Sequence, residues 1–144
     1  MARNRSDNEQ ILARALEFEE MHNWREAAET YLSALAEAPL EARLWYRAGV
    51  CIRRSGAPSE AIQYLEKAGM LDPVAIEYSL ELGDAYFELR AFDDAISSYL
   101  LARDIDPENV SVANNIGIAL QEAGLLDDAL SALERALTLS PNDP

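Results

Sequence analysis

Residues 76–109 read IEYSLELGDAYFELRAFDDAISSYLLARDIDPEN, and the spacing of small and large apolar residues in this stretch decides the fold. In its first half Leu82, Gly83 and Tyr86 fall on one helical face, and in its second half Ala95, Tyr99 and Ala102 fall on another. Gly83, Ala95 and Ala102 are small enough to let two helices approach closely, and Tyr86 and Tyr99 are large enough to fill what remains. Arg90 lies between the two patterns and Pro107 follows the second, where a proline cannot continue the helix. The stretch therefore reads as helix, short turn, helix, stop.

The same arrangement extends in both directions. Prolines fall at Pro39, Pro73, Pro107 and Pro141, 34 residues apart each time. A fixed period of this length dictates a repeat architecture. With units at 8–41, 42–75, 76–109 and 110–143, place 20 is Ala27, Ala61, Ala95 and Ala129. Place 27 is Ala34, Ala68, Ala102 and Ala136; place 8 is Ala15, Gly49, Gly83 and Gly117; place 24 is Tyr31, Leu65, Tyr99 and Leu133. Place 15, the turn, is glycine at Gly56 and Gly124 but His22 and Arg90 in the other two units, where a positive φ costs roughly 1 kcal/mol. Helix A of the first unit is expected to start at Asp7 with Gln10 as its capping-box partner. Pro58 suits the first position of the second helix B. No segment shows the two-residue alternation of a strand.

This pattern resembles the tetratricopeptide repeat family over residues 8 to 141. The second unit carries Trp45, Gly49, Ala61, Leu65, Ala68 and Pro73 of the family's consensus; the third carries Leu82, Gly83, Tyr86, Ala95, Tyr99, Ala102 and Pro107. The first unit, with Arg14 at place 7, departs furthest. The resemblance implies an all-α solenoid of helix-turn-helix repeats in a right-handed superhelix, a single domain over residues 1–144.

Composition narrows the partners. The chain carries 26 acids against 12 bases, a formal charge of −14. Such a surface repels phosphate backbones and anionic lipid, so nucleic acid and membranes are poor partners and a basic client is favoured. The imbalance lies in residues 58–144, with 17 acids and 4 bases; residues 1–57 hold 9 acids and 8 bases. No apolar run suits a bilayer span or a secretory leader, and the lone Cys51 suits a reducing compartment, so a cytoplasmic location is expected.

Little here suits catalysis, a cofactor or a metal. Cys51, among apolar residues on a helix, reads as a small buried hydrophobe, and His22 as a solvated turn residue. Asp93–Asp94 and Asp127–Asp128 sit at a repeated place in the first turn of helix B, where the helix dipole favours negative charge. Asp104, Asp106 and Glu108 imitate the start of a calcium loop, but Asn109 stands where its glycine belongs.

In the family resembled, the A helices line a concave groove that takes a peptide or helix of a partner protein. Carried over, the groove residues are Leu12, Leu16, Arg43, Tyr46, Arg47, Val50, Leu80, Glu81, Asp84, Asn114, Asn115 and Ile118. Arg43 and Arg47 are expected either to pair with Glu77 and Glu81 of the next unit or to contact a ligand. Asn114 and Asn115 suit hydrogen bonding to an extended backbone. The two-carboxylate clamp by which family members hold Hsp70 and Hsp90 tails is missing: Leu12, Leu16, Arg47, Glu77 and Glu81 occupy its places. The expectation is an adaptor or scaffold without enzymatic activity; the alternatives are a dedicated chaperone for a secreted client and the regulatory module of a larger enzyme. Leu130, Leu137 and Leu139 make the last helix greasy where a further repeat would pack, offering a face for docking or homo-oligomerisation.

Overall fold

A computed structural model describes residues 5–139. They form eight α-helices and no strand. The chain divides into two compact units, residues 1–73 and 74–144. The first unit holds α1 (Arg5–Glu20), α2 (Trp24–Leu35), α3 (Ala42–Arg54) and α4 (Pro58–Leu71). The second holds α5 (Ile76–Glu88), α6 (Phe92–Ile105), α7 (Val110–Glu122) and α8 (Leu126–Leu139). Within each unit every helix packs on its neighbour in the chain, giving two antiparallel hairpins placed side by side.

The close approach within a hairpin rests on place 8. A Cβ added to Gly49 would lie 2.7 Å from a methyl carbon of Leu65, and one added to Gly117 would lie 2.6 Å from Leu133. One added to Gly83 would enter the Tyr99 ring. The first hairpin uses Ala15 opposite Tyr31, both buried. The alanines at places 20 and 27 are buried in every hairpin.

The four turns share one backbone solution. Each A helix ends with two crossed hydrogen bonds of the Schellman type, such as Asn23 N–H to Phe18 O (2.8 Å) with His22 N–H to Glu19 O (2.9 Å). The equivalent pairs recur at Gly56, Arg90 and Gly124. All four turn residues have positive φ: 57° at His22, 94° at Gly56, 60° at Arg90 and 82° at Gly124. The two non-glycine residues thus take the strained conformation that their place demands. Each also has an aromatic neighbour two residues on. The His22 ring lies 5.2 Å from that of Trp24, and the Arg90 guanidinium 5.2 Å from that of Phe92. Gly56 and Gly124 are followed instead by Pro58 and Leu126.

Three details refine the sequence reading. Helix α1 already includes Arg5, so Asp7 lies inside its first turn and is not the cap expected there. A charge near the helix N-terminus still suits the dipole. Asn109 does cap, its Oδ1 accepting the Val112 N–H at 3.1 Å. Glu41 and Ala75, at the equivalent place, take similar extended backbone angles without a side-chain bond. The fourth repeat proline, Pro141, lies outside the described residues.

Candidate protein-interaction surface

The groove residues of the first unit come from α1 and α3. Leu16 and Arg43 are exposed, and Leu12, Tyr46, Arg47 and Val50 are half-buried. Arg47 is not a free cation: its Nη1 lies 3.1 Å from Oε2 of Glu19 on α1. Its ion-pair partner thus lies within its own unit, on α1. Arg54 is engaged too, its guanidinium 4.9 Å from the Trp24 ring centre.

Glu19, which lies outside the groove set carried over above, is the hub of this surface. Its carboxylate accepts from Arg47, from the Cys51 thiol at 3.4 Å and from the Tyr31 hydroxyl. Burial, followed by the Glu19 charge, pushes the Cys51 thiol up from an ordinary 9.0 to about 12. The same causes raise the Tyr31 phenol well above its usual range. Cys51 is therefore a buried, protonated thiol, the opposite of an activated nucleophile. The only signal in the sequence was a glutamate on α1 facing an arginine 28 residues on, which any repeat array offers many times over.

The second unit repeats the theme with different residues. The Tyr99 hydroxyl donates to Oδ1 of Asp84 at 2.6 Å. Asp84, Glu81 and Leu80 are half-buried on α5. Leu80 packs against the core cluster formed by Ala95, Tyr99, Ala102, Val112, Ile116 and Ala119, so much of its surface belongs to the interior. On α7, Asn114 and Ile118 are exposed and Asn115 is half-buried, although that helix is buried along Val112, Ile116 and Ala119.

Among the described residues no cluster of three or more His, Cys, Asp or Glu side chains could hold a metal ion. His22 is exposed in its turn. Asp93–Asp94 and Asp127–Asp128 lie in the first turns of α6 and α8. No described helix is long and apolar enough to cross a membrane.

These features, a hairpin repeated with glycine or alanine opposite a large residue and an αL turn, coincide with a match to the tetratricopeptide repeat family model at residues 12–75, 67–110 and 80–144. The chain belongs to the tetratricopeptide repeat family. Among curated proteins it is 26% identical over 91 residues to Hsp70-Hsp90 organizing protein 1 of Glycine max. It is 23% identical over 100 residues to Hsp70-Hsp90 organizing protein 2 of Arabidopsis thaliana. These matches cover 63% and 69% of the chain but only 16% and 18% of those longer relatives. Among solved structures, a MamA protein matches with a TM-score of 0.88 at 23% identity, covering 93% of this chain and 73% of that one. YrrB, described as a tetratricopeptide repeat protein with an unusual peptide-binding site, matches with a TM-score of 0.81 at 21% identity over 89% and 66% of the two chains. Likeness at this level establishes the fold.

Proposed function

We propose that this tetratricopeptide repeat protein is a non-catalytic adaptor that holds a peptide or helix of a partner protein against its A helices. The observation that carries this reading is the outer face of α7. Its opposite side is sealed in the core, yet it sets Asn114, Asn115 and Ile118 together in mid-helix, two of them residues of low helix propensity. Amides beside an apolar side chain suit a ligand with backbone groups to satisfy and some apolar surface to cover. Tyr46 and Val50 offer the first unit's counterpart, a large rigid contact surface beside an aliphatic one.

The relatives' names do not extend this reading to Hsp70 or Hsp90 tails. Leu12 and Leu16 lack the polar heads such a tail requires, and Arg47 is already paired with Glu19. A client with basic residues suits the acidic second half better.

Affinity capture by the full chain, with and without Tyr46→Ala or Asn114→Ala/Asn115→Ala, tests the proposal. Partners retained by wild type should be lost by these variants with the helical signal intact. Retention by both variants would place the site elsewhere.

A further inference from the structure

Helix α8 carries a second surface that the groove does not use. Leu126, Leu130 and Leu137 form one stripe along it, exposed by 65%, 58% and 62%. Leu133, on the same side, is only half-exposed and faces Gly117. The first unit shows how such a stripe can be covered. Place 28 is Leu35 in α2 and Leu137 in α8; place 21 is Ala28 and Leu130. Leu35 is 6% exposed and Ala28 4%, because α3 lies on α2. In α6, place 28 is Arg103, and it is exposed. The leucine at this place is thus covered in α2, and the exposed counterpart in α6 is an arginine. Leu137 is apolar like the first and exposed like the second.

The covering helices define the chemistry of a cover. Helix α3 presents Leu44, Ala48 and Cys51, and α7 presents Val112, Ile116 and Ala119, apolar residues at i, i+4 and i+7. Helix α1 has Gln10, Arg14 and Glu17 at those places, all exposed. A second copy stacked head to tail would press Arg14 and Glu17 onto the leucines, an expensive burial of charge. Beside the stripe, Asp127 and Glu134 are exposed and lie two turns apart on one edge. We infer that α8 is a docking face for an amphipathic helix of a partner protein, apolar at i, i+4 and i+7 and flanked by basic residues two turns apart.

The chain's own α3 has this pattern, with Leu44, Ala48 and Cys51 beside Arg47 and Arg54, but it is occupied in covering α2. Its sequence therefore supplies the probe: a side-chain-stapled, fluorescently labelled peptide of residues 42–54 with Cys51→Ala, titrated with the full chain. Saturable binding that falls at least tenfold with Leu130→Glu/Leu137→Glu, falls with Asp127→Lys/Glu134→Lys, and is unchanged by Tyr46→Ala supports the inference. Leu137→Arg alone, which copies Arg103, gives the same readout should the double leucine variant fail to fold. Three results overturn it: no saturable binding to wild type, equal binding to the leucine variants, or a wild-type dimer in light scattering that these variants convert to monomer. The last would assign the face to a second copy.

Discussion

At the residue scale, three positions can be tested without knowledge of any partner. Gly83→Ala places a methyl inside the Tyr99 ring, which must swing away and give up its bond to Asp84. Overpacking of this kind costs about 1–3 kcal/mol, measurable by urea denaturation. Arg90 tests the turn. Arg90→Gly relieves the positive φ but removes the stack on Phe92; Arg90→Ala removes the stack and keeps the strain. The alanine variant should be the less stable of the two, by roughly 1 kcal/mol. The reverse order would mean that the turn is not strained. Cys51 gives a third test. With its thiol pushed up to about 12, it should resist alkylation at pH 8 until the chain is denatured. A raised pKa in an acid favours the neutral form in the fold. Its contribution to stability is therefore fully present below 9.0, the ordinary value, and is lost as pH rises from there toward about 12. Cys51→Ala should flatten that alkaline loss.

At the scale of the helix, Asn109→Ala should cost about 1 kcal/mol, because it removes the one described side-chain cap of an A helix. Glu41→Ala should cost less, since Glu41 makes no cap bond. Helix pairs, turns and most buried places were legible in the sequence because Ala, Gly and Pro recur with one period, and each has a steric meaning that context does not change. The first cap was not legible. Asp7 and Gln10 fit the capping pattern, but the helix runs through them from Arg5. The surface was legible only as a set of places. Which carboxylate holds Arg47 depends on side-chain reach between helices, and nothing in the spacing singles out Glu19. Leu80 sits at a surface place of the repeat, and its side chain also packs on the core formed by Tyr99 and Val112, a contact that spacing alone does not reveal.

At the scale of the whole molecule, charge and stacking are the levers. Residues 58–144 hold 17 acids and 4 bases, so a basic client should associate more slowly as salt rises from roughly 50 to 500 mM. Stopped-flow rates unchanged over that range would exclude electrostatic steering. Truncation before Val110 should uncover Ala95, Tyr99 and Ala102, which α7 seals. The shortened chain should unfold at lower urea, since in repeat arrays each hairpin is stabilised by its neighbour.

The tyrosine contacts bear on how such a chain can be recombined. Tyr99 meets both Gly83 and Asp84 within its own hairpin, and Tyr31 meets Glu19 within its own. A hairpin moved to another array would carry these locks along, complete. The bonds from Glu19 to Arg47 and Cys51 run instead to the following hairpin. A crossover between residues 37 and 41 would divide that cluster, leaving a carboxylate without its cation. Crossover points for chimaeras are therefore not equivalent despite the regular period, and the first junction travels only as a two-hairpin cassette.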